Sequence, residues 1–186
     1  MPSDDDDRAL LSRIATGDES ALRQLYTTYR PALHRYLWYQ MHHDLPQVED
    51  VMQETFLSIW RAAHTVRQGT SIAAWIFQIA HRHVLQSRRV NARRREDVVF
   101  ELDDERDVSP RSLEDDIVTR IDLDEALRTL SDKYREILYL ICLQGFSLYE
   151  VAEILAIPLG TVKSRLSNAR RALQRSLARM QIMEGK

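Results

Sequence analysis

The sequence has little of what builds a β fold or a disulfide scaffold. Five glycines and five prolines in 186 residues leave too few turns for a sandwich or barrel, and the abundance of Leu, Ala, Arg and Glu favours helix. The single cysteine, Cys142, excludes an internal disulfide framework. Its place in the apolar run from Ile137 to Leu143 predicts a buried thiol. No apolar run is long enough for a bilayer, so no membrane insertion is expected. The start, MPSDDDDR, lacks the basic segment and apolar core of a signal peptide. The expectation is a cytoplasmic protein whose residues Asp4 to Asp7 form a disordered, solvated end.

Catalytic signatures are missing too. There is no P-loop, nucleophile elbow or H-E-x-x-H motif, so the chain is not expected to be an enzyme. Six histidines are present. His42 and His43 are adjacent, and His81 and His83 are two apart on a helix, so neither pair shares a face. No metal and no cofactor are expected.

Acids are missing from two long stretches, and this is more telling than the net charge of −2. Thr55 to Arg95 holds eight arginines and no Asp or Glu. Glu96 to Glu125 holds thirteen acids against three arginines, and Leu155 to Met183 again holds no acid. The order basic, acidic, basic suggests two separate contacts with nucleic acid.

What is present is helical periodicity almost throughout. It predicts helices over Asp7–Ala15, Glu19–His42 with a kink or break at Pro31, Pro46 or Gln47 to Ala63, and Ser71–Val90. Asn91 to Ser112 has no clear period and reads as a flexible acidic linker. Helices are expected again over Leu113–Leu130, Asp132–Gln144, Leu148–Leu155 and from Gly160 or Thr161 onward. The expected fold is all-α, with two small helical domains at about 8–92 and 113–182 joined by a linker at 93–112.

The stretch GFSLYEVAEILAIPLGTVKSRLSNARRAL, from Gly145 to Leu173, has the layout of a helix-turn-helix. A short helix and a turn at Ala156–Leu159 precede a helix with six basic residues and no acid through Arg179. On that second helix Val162, Leu166, Ala169, Leu173 and Leu177 share one face. Thr161, Ser164, Asn168, Arg171 and Arg175 share the opposite face, flanked by Lys163, Arg165 and Arg170. Arg and Asn can read guanine and adenine edges, while Lys and Ser mostly hold phosphates. A solvated basic helix is the plainer alternative, but it explains neither the short preceding helix nor the missing acids.

Two further segments stand out. In Val48–Ala63 the apolar residues Val51, Met52, Phe56 and Ile59 lie on one side. Glu49, Asp50, Gln53, Glu54, Leu57 and Trp60 lie on the other side or its edge. An exposed Leu and Trp among carboxylates suit a protein partner with a polar rim, although an ordinary acidic surface helix remains open. Ser71–Val90 buries Ile72, Trp75, Ile76 and Ile79, and its other faces carry His81, Arg82, Arg88 and Arg89.

These segments resemble a known family. PLGTVKSRLSNARRAL, preceded by LSDKYREILYLICLQGFSLYEVAEILAI, looks like region 4 of the bacterial extracytoplasmic-function (ECF) sigma factors. VEDVMQETFLSIWRAA resembles their region 2.2, and SIAAWIFQIAHRHVLQSRR their regions 2.3 and 2.4. The resemblance covers nearly the whole chain. His81-Arg82 stands where many members have Arg-Asn, Gln86 where many have Asp, and Ser131 where a Pro is common, a change suited to a helix N-cap.

The resemblance implies a promoter-specificity subunit without chemistry of its own. It implies −35 contacts by Thr161, Lys163, Ser164, Arg165, Ser167, Asn168 and Arg171. It implies −10 contacts by Arg67, Gln68, Thr70, Ser71, His81, Arg82, Arg88 and Arg89. Glu49, Asp50, Gln53, Glu54, Leu57 and Trp60 would bind polymerase. The implied partners are core RNA polymerase through its β′ clamp helices and β flap, promoter DNA, and an anti-sigma factor. Two other classes stay open on the residues alone: a two-domain regulator acting without polymerase, and a polymerase-binding decoy.

Overall fold

The computed structural model describes residues 4–95 and 126–184. Helix α1 spans Asp4–Ala15, and its four leading acids suit the positive end of the helix dipole. The chain turns at Gly17 in a left-handed conformation (φ +88°). Asp18 then caps α2, Glu19–Gln40, by accepting from the amides of Ser20 (2.8 Å) and Ala21 (3.2 Å). Helix α3 spans Leu45–Ala62, capped by Asp44, and a 3₁₀ turn over Ala63–Thr65 follows. Helix α4 spans Ile72–Arg95.

Beyond the undescribed 96–125, residues 126–128 are helical. Helix α5, Asp132–Leu138, runs directly into a wide π turn over Tyr139–Leu143. Helices α6, Leu148–Leu155, and α7, Leu159–Glu184, complete the chain. Among the described residues every regular element is helical. No described helix is long and apolar enough to cross a membrane.

Several boundaries differ from the sequence reading, each for a physical reason. Helix α2 runs uninterrupted through Pro31. Pro31 lies on the exposed face, where a freed carbonyl can turn to water. On the other side Leu25, Tyr29, Leu33, Tyr36 and Leu37 are buried and hold the helix. Residues 91–95, read as linker, extend α4. The rest of the expected linker and most of the expected 113–130 helix lie outside the described residues.

The acidic end is not a solvated tail from Asp4 on. Asp7 is buried, its carboxyl accepts from the Tyr29 hydroxyl, and burial raises its pKa above the usual carboxylate value. Cys142 is exposed rather than buried. The π turn, closed by the Gln144 amide on the Tyr139 carbonyl (3.0 Å), adds a residue to the turn. That shifts the face Cys142 would occupy in an α-helix. Ser131 stands at the N-cap of α5 but makes no side-chain capping bond.

The two halves are not separate bodies. One apolar cluster runs from Leu11 in α1 to Ala169 in α7. Phe77 of α4 meets Phe146 edge to face at 5.1 Å, and Tyr36 of α2 meets Tyr139 at 5.7 Å.

Helix α6 starts with a reciprocal capping box. The Ser147 hydroxyl accepts from the Glu150 amide (3.2 Å), and the Glu150 carboxylate accepts from the Ser147 amide (2.8 Å). Ser147→Ala is therefore expected to cost about 1 kcal/mol of stability. Urea denaturation followed by circular dichroism checks this, with Ser147→Asp, which also caps, retaining most of the stability.

Candidate functional site

Three surfaces carry the residues singled out by sequence. The first is a cleft of about 780 Å³ between α2 and α3. Val48, Val51, Met52, Thr55, Phe56 and Ile59 turn inward from α3, which leaves Glu49, Asp50, Gln53, Glu54 and Leu57 exposed and Trp60 half-buried. Glu49, Gln53, Leu57 and Trp60 line the cleft, whereas Asp50 and Glu54 lie outside its lining. The facing wall is Leu22, Arg23, Tyr26, Arg30 and His34 of α2. Tyr26 packs edge to face on Phe56 at 4.8 Å. The cleft thus has an apolar floor, with Glu49 on the α3 wall and Arg23, Arg30 and Glu19 on the α2 wall.

The second surface is the loop before α4 and the outer face of that helix. Arg67, Gln68 and Gly69 are exposed, Thr70 and Ser71 half-buried, and Gly69 supplies a positive φ of +79°. The loop is held from outside by α1. Arg8 donates to the carbonyls of Arg67 (3.2 Å) and Thr70 (2.9 Å). Asp4 pairs with Arg8 at 3.2 Å and accepts from the Ile72 amide at 2.8 Å. Arg82 and Arg89 are exposed on α4. Trp75 is half-buried and packs on the apolar core, as its spacing predicts.

The third surface is α7. Ala156, in the left-handed conformation (φ 52°), ends α6 and lets the chain turn into α7. Val162, Leu166 and Ala169 are buried against the domain. Lys163, Ser164, Ser167, Asn168, Arg170 and Arg171 are exposed, with Thr161 and Arg165 half-buried at the edges. Hydroxyls, an amide and guanidinia therefore line the outside of a rigid helix of the length and shape that enters a major groove.

Comparison with known proteins agrees with this layout. The family model described as Sigma-70 region 2 matches residues 25–94, and that described as Sigma-70, region 4 matches residues 120–173. The ECF RNA polymerase sigma factor SigL of Mycobacterium tuberculosis is 32% identical over 173 residues, covering 91% of this chain and 96% of SigL. The chain belongs to the ECF RNA polymerase sigma factors. SigW of Bacillus subtilis, of the same family, is 26% identical over 90% of this chain and 94% of its own.

Among solved structures, the sigma factor RpoE in complex with the anti-sigma factor NepR from Bartonella quintana matches with a TM-score of 0.67. It is 30% identical, and the match covers 84% of this chain and 96% of RpoE. CnrH, solved with the cytosolic domain of CnrY, shares the fold at a TM-score of 0.65 and 22% identity, over 93% of this chain and 97% of its own. In this sigma factor the region 2 match takes in most of α2, all of α3 and nearly all of α4, and the region 4 match takes in α5, α6 and the first part of α7.

The structure does not leave every expected DNA residue of region 2 free. His81 is buried at 7% exposure, and its Nδ1 lies 2.8 Å from Oε1 of Glu136 in α5. In this arrangement the imidazole is covered by α5, so His81 is not among the exposed residues of the expected −10 set. Arg88 is half-buried: it donates to the carbonyl (2.9 Å) and side-chain oxygen (2.6 Å) of Gln40, and it pairs with Asp132 at 3.1 Å. Ser71 uses its hydroxyl to accept from the Ala74 amide at 3.3 Å.

Other residues were missed. Arg23, Tyr26 and Arg30 share a helix face and line the cleft, with no motif in the sequence to mark them. The loop contacts of Asp4 and Arg8 carry no local signal, because Ile72 and Thr70 lie more than sixty residues away. Arg8→Ala removes two bonds to carbonyls of the loop and the ion pair that holds Asp4 beside the Ile72 amide. Amide exchange at Ile72 is expected to accelerate on the order of tenfold, the effect of about 1.4 kcal/mol. Exchange mass spectrometry checks this, with amides of the Leu33–Leu37 turn unchanged as the internal control.

Proposed function

We propose that this ECF sigma factor gives core RNA polymerase its promoter through the three surfaces just described. The observation that carries the reading is their division within one chain of regions 2 and 4. A cleft suited to a protein lies on one side of region 2, a loop and cationic helix lie beside it, and a base-reading helix face lies on region 4. Glu49, Asp50, Gln53, Glu54, Leu57 and Trp60 contact the polymerase β′ clamp helices, with the apolar floor of the cleft taking the central side chains. The β flap meets region 4.

Arg67, Gln68, Thr70 and Ser71 with Arg82 and Arg89 take the melted −10 strand. A freed strand needs cations along its backbone and a pocket for an unstacked base. Gly69 lets the backbone of the loop approach that strand. Thr161, Lys163, Ser164, Arg165, Ser167, Asn168 and Arg171 take the −35 duplex, with Arg171 and Asn168 on base edges and Lys163 and Arg165 on phosphates. Region 2, expected from sequence at about 8–92, extends to the end of α4 at Arg95, and region 4 lies at about 113–182. The acidity of 96–112 suits a segment that occupies a basic nucleic-acid path. An anti-sigma factor is the regulatory partner, by extension from RpoE, which was solved with one.

Run-off transcription with purified core polymerase and a promoter library tests the whole reading. Promoter-dependent initiation is the expected result, and its absence would overturn the reading. Arg171→Ala is expected to reduce discrimination at one −35 position by about 1–3 kcal/mol. A uniform loss across all sequences would instead show that Arg171 touches only phosphate. Trp60→Ala is expected to weaken core binding roughly tenfold or more, as loss of a central aromatic anchor does. Fluorescence anisotropy of labelled sigma titrated with core checks this, and duplex −35 binding should remain unchanged.

A further inference from the structure

The loop assigned to the −10 strand has little to fix its shape from within. Its turn closes through the Thr70 amide on the Arg67 carbonyl at 3.4 Å, a long bond. Gly69 has a positive φ of +79°, and a Cβ at that position would have no neighbour within 4 Å, so the tip is not packed. Val66, just before the loop, packs on the apolar core. Beside it a cavity of about 370 Å³ lies between α1 and the 3₁₀ turn, with Arg8, Ser12, His64 and Val66 in its walls.

What holds the loop comes from α1. The Arg8 guanidinium donates to the carbonyls of Arg67 (3.2 Å) and Thr70 (2.9 Å), the two ends of the turn. Asp4, one helical turn earlier, uses one oxygen to pair with Arg8 at 3.2 Å and the other to accept from the Ile72 amide at 2.8 Å. Ile72 is the first residue of α4. These contacts span the loop from its entry to the helix that follows. The side chains of Arg8 and Asp4 are 30% and 51% exposed, so the ion pair itself contributes little stability. The guanidinium contributes geometry instead. Its donors lie in a fixed planar fork, so one side chain sets the separation of the two carbonyls.

The helix that carries Arg8 and Asp4 is itself anchored. Leu11 and Ile14 of α1 are buried in the core, and the buried Asp7 accepts from the Tyr29 hydroxyl of α2. The region 2 match begins at residue 25, so α1 lies outside it. Recognition of a single strand depends on where the side chains and backbone of the loop stand. A displacement of about 1 Å at such a site is enough to weaken it.

We propose that Arg8 and Asp4 are positioning residues for −10 recognition: α1 sets the span of the Arg67–Ser71 loop, and with it how sharply the −10 sequence is discriminated, while neither residue touches the strand. The proposal rests on the −10 assignment of that loop made above.

Holoenzyme reconstituted from the full chain and core polymerase tests it, on the strongest promoter of the library and on single-base substitutions of its −10 and −35 elements. The quantity measured is the ratio of run-off product from parent and substituted templates. In Arg8→Ala the −10 ratios are expected to fall at least about fivefold, while the −35 ratios and core affinity keep their wild-type values. Arg8→Lys keeps the charge without the fork, and its −10 ratios should lie between those of wild type and Arg8→Ala. Asp18→Ala controls for stability. It removes the cap of α2 beyond the opposite end of α1, where Asp18 bonds to Arg13, Ser20 and Ala21, and it should leave the −10 ratios unchanged. The fold of each variant is checked by circular dichroism. Unchanged −10 ratios in Arg8→Ala, an equal fall in Asp18→Ala, or a parallel fall in the −35 ratios overturns the positioning role while the proposed function stands. A wild type that fails to initiate, or that initiates with no regard to the −10 sequence, overturns the −10 reading itself and the positioning role with it.

Discussion

A single buried carboxylate organises the relation between the two halves of this protein. Glu136 has no partner of opposite charge on its own side of the interface within the contacts described. The Tyr36 hydroxyl, the His81 ring and the Arg88 charge all come from region 2. A carboxylate of this kind is costly to bury unless it is hydrogen-bonded, so the contacts of Tyr36 and His81 with one of its oxygens favour the register in which the halves fit. The aromatic contacts around it exclude water, and Arg135 ties α5 back to α2. Where region 4 rests therefore decides which cationic residues of α4 face solvent and which are occupied.

The same economy of partners shapes region 2. Helix α1 looks like an acidic prelude, yet its first acid caps α4, its fourth is buried under Tyr29, and Arg8 secures the intervening loop. The loop thus presents Arg67, Gln68 and Gly69 outward while its carbonyls are held from behind. Helix α3 divides its faces more simply: apolar residues fill the core, and Glu49, Gln53, Leu57 and Trp60 line the cleft against α2.

Charge segregation along the chain makes sense in these terms. The acid-free stretches coincide with α4 and α7, the two helices proposed to meet DNA, and acids would repel phosphate there. The acidic stretch lies between them. A net charge near neutrality hides this arrangement, because the binding surfaces are set by local sign rather than by the sum.

The sequence by itself determined the helices and their faces. Local periodicity was enough to place α3, α6 and α7, because burial of Val51, Phe56, Ile154 and Val162 follows from a 3.6-residue repeat. The Asp18 cap and the Ser147–Glu150 box are equally local, each closed within three residues of sequence. Motif order and spacing carried the family, and with it the expected polymerase, −10 and −35 residues. Only the tertiary structure decided which of those residues are free. His81 is drawn inward by Glu136, 55 residues away, and Arg8 finds carbonyls about sixty residues on. Cys142 turns outward because a π turn changes the register. Periodicity records a residue's own helix and says nothing of the helix packed against it, so contacts between distant segments had to be seen in the fold.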